Sequence, residues 1–174
     1  TDPDYDVDFE SPTSIGRYGT SFYIGSTEQP FKSTLDVATF STTQDADTGT
    51  PGVLSSNSRA VWWQNRWYVT TQTKLYYKTI SGGAWTDTGI TLTTGVPHPL
   101  VVFRNKNSLC VANGNTIKLL DTSHSTTVTL TIPTDYEIIS LAFSNNKIGI
   151  ITRLSTTADG QNQESYFFVW DGAS

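Results

Sequence analysis

Short apolar runs alternate with polar turns along most of the chain, and the alternation recurs. Val61-Trp62-Trp63-Gln64-Asn65-Arg66 resembles Val101-Val102-Phe103-Arg104-Asn105-Lys106, and both resemble Leu141-Ala142-Phe143-Ser144-Asn145-Asn146. Trp63, Phe103 and Phe143 stand 40 residues apart, as do Val61, Val101 and Leu141. Within each repeat the first apolar run ends in a turn rich in Asn, Lys and Arg. Asn tolerates positive φ there, and the charged residues stay solvated. A second strand is predicted at Trp67-Tyr68-Val69, Leu109-Cys110-Val111 and Ile148-Gly149-Ile150-Ile151. A third is predicted at Leu75-Tyr76-Tyr77-Lys78, Ile117-Lys118-Leu119-Leu120 and Tyr166-Phe167-Phe168-Val169-Trp170. Fourth strands follow at Ile90-Thr91-Leu92 and Val128-Thr129-Leu130-Thr131-Ile132, alternating apolar residues with Thr as an edge strand with one wet face does. No window carries the 3.6-residue apolar stripe of an amphipathic helix.

A meander of four short strands repeated about every 40 residues describes a β-propeller blade. The predicted class is therefore all-β, a partial or four-bladed propeller in one domain over residues 1–174. An irregular first blade is expected over 1–52, with repeats over 53–96, 97–136 and 137–174. Ser21 to Gly25 is expected to be a second strand of that first blade, with Leu35 to Phe40 in its outer part. Thr42 to Gly52, with Asp45, Asp47, Gly49, Pro51 and Gly52, reads as a loop between blades. Ser155 to Ser165 reads as an exposed insertion. Trp170-Asp171-Gly172 starts a turn with no fourth strand after it. Either the segment from Asp2 to Glu10 supplies that strand and closes the ring, or the chain was cut from a longer propeller; the second reading is favoured. The chain does not begin with Met.

Composition agrees with strands. Aromatic residues make up 12% of the 174, Thr is abundant and Met is absent; such residues fit a pleated, half-buried surface. No apolar stretch approaches the roughly 20 residues of a spanning helix, and mean hydropathy is −0.29. A net charge of −5 argues against nucleic acid as a partner, because phosphate binding needs a basic stripe. The lone Cys110 excludes an internal disulfide and reads as a buried thiol in an apolar strand.

The pattern resembles β-propeller proteins in general. Ile90 to Thr131 and Glu137 to Gly172 look more narrowly like repeats of bacteriophage tail and other virion-associated propellers. The cues are strands ending in Phe and Asn, the Ala112-Asn113-Gly114-Asn115 turn and the closing Val169-Trp170-Asp171-Gly172. The likeness covers Arg59 to Ser174. Sialidase-like propellers are more distant: of their Ser-x-Asp-x-Gly-x-Thr-Trp box, Lys78 to Trp85 keeps only Gly82 and Trp85. The arginine cluster with which sialidases bind substrate would have to come from Arg17, Arg59, Arg66, Arg104 and Arg153.

Candidate chemistry is thin. Asp2, Asp4, Asp6, Asp8 and Glu10 alternate with other residues, which places the acids on one face of an extended strand. Asp4, Asp6 and Asp8, with Asp45 and Asp47, are weak calcium candidates; Phe9 stands where a calcium loop would need Gly, and a solvated face is the preferred reading. No metal or cofactor is expected. His98 and His124 lack metal-ligand spacing, and Pro97-His98-Pro99 suggests a corner between blades. Asp87, Asp121, Asp135, Glu137 and Asp171 sit near strand ends, as paired carboxylates of a glycoside hydrolase would, but they suit turns equally well. Trp85, Trp62 and Tyr76 are the candidates for stacking on a glycan, with Trp85 beside Gly82-Gly83 the one expected to be exposed; core packing is the competing reading.

These features point to a non-enzymatic structural or binding module of a virion, such as a phage tail, or of a cell surface. Its expected partners are other structural proteins, further blades of the same chain, a glycan or a second copy of itself. The alternatives are a sialidase-like glycoside hydrolase and a stand-alone lectin.

Overall fold

A computed structural model describes residues 14–18, 21–25, 31–36, 41–45, 54–55, 58–79, 84–154 and 165–173, before residue 54 in the course of the backbone alone. Among the described residues there are fifteen strands in four antiparallel sheets and no α-helix. Sheet 1 contains β1 (Ser14–Tyr18), β2 (Ser21–Gly25), β3 (Phe31–Asp36) and β4 (Ser41–Asp45). Sheet 2 contains β5 (Val61–Trp63), β6 (Arg66–Thr70), β7 (Lys74–Thr79) and β8 (Thr86–Thr91). Sheet 3 contains β9 (Leu100–Phe103), β10 (Ser108–Asn113), β11 (Thr116–Leu120) and β12 (Thr126–Thr131). Sheet 4 contains β13 (Tyr136–Ser144), β14 (Lys147–Leu154) and β15 (Ser165–Trp170).

Every sheet is a meander whose spatial order follows the sequence. The leading strands β1, β5, β9 and β13 adjoin one another in that order. Sheets that stack face to face through their first strands are β-propeller blades.

Hairpin chemistry explains the leading turns. Gln64 and Asn65 have φ of 51° and 57°, and Asn145 and Asn146 have 46° and 63°. Positive φ at both central residues matches the right-handed twist of the flanking strands. Between β9 and β10 the turn is longer: a 3₁₀ segment (Arg104–Lys106) ends on Asn107 at φ 46°.

The core lies between blades. Trp63, Tyr68, Leu75 and Leu92 of sheet 2 pack on Leu100, Leu109, Val111 and Leu120 of sheet 3. The opposite face of sheet 3 places Phe103, Cys110, Ala112, Ile117 and Leu119 against Ile138, Leu141, Ile148, Ile150 and Trp170 of sheet 4. β10 is thus buried on both faces along nearly its whole length. The outer strands β8 and β12 share an alternating half-buried and exposed pattern.

Three details differ from the sequence reading. Thr42 to Asp45 belong to β4 rather than to a loop, and Asp45 pairs with Lys32 across the sheet; the run Ser41-Thr42-Thr43 has the residue types of a strand. The 40-residue register keeps its spacing but not its facing. Trp63 and Phe103 both point toward the following sheet, whereas Phe143 points back and meets Phe103 at 5.7 Å between ring centroids. The cause is a bulge in β13, where pairing with β14 shifts between Ile138 and Ser140. One extra residue moves every later side chain to the other face. Third, Trp85 is buried, as described below. The expected strand from Asp2 to Glu10 and the insertion over 155–164 lie outside the described residues.

Candidate functional site

The joint between sheets 2 and 3 holds the densest group of perturbed titratable side chains. Asp121 follows β11 and builds the turn into β12. Its Oδ1 accepts from the backbone N–H groups of Ser123 and Ser125, each at 2.9 Å. Its carbonyl accepts from the N–H of His124 at 2.9 Å, and His124 takes a φ of 64°. The turn carries the imidazole across the joint. There Nε2 lies 2.9 Å from the Tyr68 hydroxyl, and the ring lies 5.3 Å from that of Tyr77. The Arg66 guanidinium covers the other aromatic neighbour, 4.4 Å from the centre of the Tyr77 ring.

Burial raises the pKa of Tyr68 and lowers that of His124, and the Arg66 charge lowers His124 further. Both members of the pair are therefore neutral near pH 7 and share one hydrogen bond. The Asp121 carboxylate, the group that would orient and charge such an imidazole, is engaged by its own turn. The arrangement fastens two blades.

His98 fastens the opposite rim. Its N–H donates to Ser55 Oγ at 3.2 Å, its carbonyl accepts from Thr70 Oγ1 at 2.8 Å, and its two ring nitrogens face the carbonyls of Ala112 and Gln72 at 3.3 and 3.4 Å. Those carbonyls favour the imidazolium, but burial outweighs them and the pKa is lowered. The corner suggested by Pro97-His98-Pro99 is thus a fully buried joint. Cys110 is buried between sheets 3 and 4, and desolvation pushes its thiol up to about 12.

Other polar side chains are engaged across the joints or within single sheets. Trp63 Nε1 and Gln64 Nε2 both donate to Asn107 Oδ1, at 3.2 and 2.7 Å. Lys106 Nζ donates to the Gly172 carbonyl, joining sheet 3 to the chain after sheet 4. Asp87 pairs with Lys74 and accepts from the Gly89 N–H. Glu137 pairs with Arg153, and Asp171 accepts from the Ala173 N–H.

The three aromatic residues proposed from sequence do come together. Trp85 packs with Trp67, Val69, Leu54 and Ala60, and Trp62 and Tyr76 flank that cluster half-buried. Trp85 itself is 7% exposed, contrary to its expected exposure. An indole beside two glycines has ample apolar surface to bury, and sheet 2 offers a pocket of Trp67 and Val69 for it. Of the acids weighed for calcium, Asp4, Asp6, Asp8 and Asp47 lie outside the described residues. No three described His, Cys, Asp or Glu side chains gather as metal ligands. Sequence reasoning missed the joint of Tyr68, Tyr77 and His124. The signal in the sequence was slight: Tyr68 and Tyr77, paired across β6 and β7, put two aromatic rings on one face of sheet 2.

No protein-family model matches the chain, and no curated protein does either. Solved structures do. An extracellular domain assigned to a hybrid two-component system of B. thetaiotaomicron aligns with a TM-score of 0.61 at 12% identity, over 87% of this chain and 21% of that one. Streptogramin B lyase aligns at 0.58 and 13%, over 94% and 56%. The GH43 endo-arabinanase of Bacillus licheniformis aligns at 0.51 and 14%, over 93% and 71%. All three have propeller-type folds. At such identities the likeness is one of fold, and the chain spans about a fifth of the first of these proteins.

Proposed function

We propose that this chain is a non-enzymatic propeller module of a virion or cell-surface assembly, presenting a rigid β surface to protein or glycan partners. The observation that carries the reading is the employment of its polar side chains. His98, His124, Asn107 and Lys106 tie blade to blade, and Asp87, Asp121, Glu137 and Asp171 are engaged locally by turns or ion pairs. Such an arrangement favours stiffness over chemistry. The repeats over 90–131 and 137–172 add the resemblance to virion propellers, and the extracellular neighbour agrees with a surface location.

A second reading, a glycoside hydrolase, has the arabinanase neighbour in its favour. One experiment separates the two. The purified chain is passed over a glycan array, then incubated with arabinan and with sialylated oligosaccharides while released sugar is measured. Retention on particular glycans, or on none, with no sugar released agrees with the module. Release that survives repurification and tracks the protein would replace it with the hydrolase.

A further inference from the structure

The contact between Tyr68 and His124 is chemically one-sided. Tyr68 is fully buried, and its hydroxyl has one hydrogen to give. The Arg66 guanidinium faces the same oxygen and can only donate to it. The phenol hydrogen is therefore directed at His124 Nε2, 2.9 Å away, which makes Nε2 the bare, accepting nitrogen. The neutral ring thus carries its hydrogen on Nδ1. A second proton has only Nε2 to go to, and it turns the acceptor of this bond into a donor. Tyr68 would then face two donors. An imidazolium would also stand beside the Arg66 guanidinium at the same Tyr77 ring, which lies 5.3 Å from the imidazole and 4.4 Å from the guanidinium.

The charges that bear on the imidazole are Arg66 of β6, which opposes a second charge, and Asp121 of its own turn, which favours it. Tyr68 of β6 and Tyr77 of β7 are the titratable groups in contact with it. Asp121 gives its Oδ1 to the N–H groups of Ser123 and Ser125, so its carboxylate is held by the turn. The imidazole is half-buried, and Thr122, Ser123, Ser125 and Thr126 around it are exposed, so a proton reaches it from solvent. His124 also holds a φ of 64°, a left-handed backbone that a non-glycine residue keeps only where its surroundings enforce it. His98 is the opposite case. A neutral imidazole offers one hydrogen to the two carbonyls that face its nitrogens, Ala112 and Gln72, and an imidazolium offers one to each. Burial opposes the charge there, but the contacts survive it.

We propose that the turn over 121–125 is a proton-operated latch on the joint between sheets 2 and 3. Neutral His124 closes it on Tyr68; protonated His124 releases it, and the turn moves off the rings of Tyr68 and Tyr77. The apolar layer beneath, Trp63, Leu75 and Leu92 against Leu109, Val111 and Leu120, contains no titratable group and stays closed. The opening is therefore confined to one rim of the joint. The latch does not depend on what the module binds.

The test is amide hydrogen exchange between pH 7.5 and 5, corrected for the intrinsic rate at each pH, beside an NMR titration of the two histidine rings. Protection over 121–127 should fall by up to about tenfold per pH unit below 6.5 and level off once His124 has titrated in the native chain. Low urea separates local from global opening: it should lower the protection of β10 and leave that of the turn unchanged, because the latch exposes little surface. His124→Asn, whose side chain tolerates positive φ, should abolish the fall with acid, and His98→Asn should leave it in place. Tyr68→Phe, which keeps the ring and removes the hydroxyl, should leave the turn poorly protected at both pH values. If His124→Asn does not fold, the wild-type midpoints decide, since loss of protection must follow the His124 titration rather than that of His98. Protection unchanged down to pH 5, a fall that survives His124→Asn, or a urea dependence equal to that of β10 would overturn the proposal.

Discussion

Sheets 3 and 4 are built from similar sequences and meet different surroundings. Sheet 3 lies between two neighbours, and its middle strand β10 is buried on both faces. Among the described residues sheet 4 has one neighbour; its inner-facing Ile148, Ile150 and Trp170 are buried, while Phe167 and Val169 are exposed. The two sheets differ less in residue type than in burial: apolar residues lie on both faces of each, and only in sheet 3 are both faces buried.

The comparison can be broken most sharply by truncation. Leu119→Ala, in the fully buried layer between sheets 3 and 4, should cost about 2–5 kcal/mol in urea unfolding. Phe167→Ala, removing a larger side chain, should cost under about 1 kcal/mol, because its ring is exposed. Equal costs would mean that the Phe167 face is covered within one chain.

Gly172→Ala should cost roughly 1–3 kcal/mol. Its φ is +77°, and an added Cβ would fall 2.2 Å from the Phe103 ring. Differential scanning calorimetry would show a lowered Tm, and Gly95→Ala, with open space around its Cβ, gives a control for the positive φ alone.

Stability should also fall with acid through the two histidines. Both native pKa values lie below the ordinary 6.5. As pH drops past 6.5 the unfolded chain takes up protons before the native one, so stability present above 6.5 is lost toward the lowered native values. The urea midpoint should decline from pH 7.5 to 5, and His98→Asn together with His124→Asn should flatten that decline. An unchanged slope in the double variant would place the titration elsewhere.

Two smaller effects follow from exposure. Cys110, buried with its thiol near 12, should stay unreacted with a thiol reagent at pH 8 until the chain unfolds. Lys74→Ala should leave the urea midpoint nearly unchanged, because its partner Asp87 is also near the surface and water screens the pair.

Much of the fold was legible in the sequence because the repeat is carried by turn chemistry. Asn65, Asn107, Asn145 and Asn146 needed positive φ and were recognisable for it. The strands over 66–70, 108–113 and 116–120 followed from apolar runs between such turns. Facing was less legible. The one-residue bulge in β13 leaves no compositional mark, yet it turned Phe143 toward the preceding blade. The site was least legible. Burial of Trp85 depends on a pocket of Trp67 and Val69 made by a different strand, and the Tyr68–His124 contact spans 56 residues. Spacing within one blade says nothing about what the next blade brings to it.

Hydrogen exchange followed strand by strand tests the account most directly. Amides of β10, buried on both faces, should exchange slowly, and those of β15, with Phe167 and Val169 exposed, more quickly. Fast exchange throughout β10 would contradict the stacked-blade core, and a β15 as slow as β10 would contradict the exposure of its outer face.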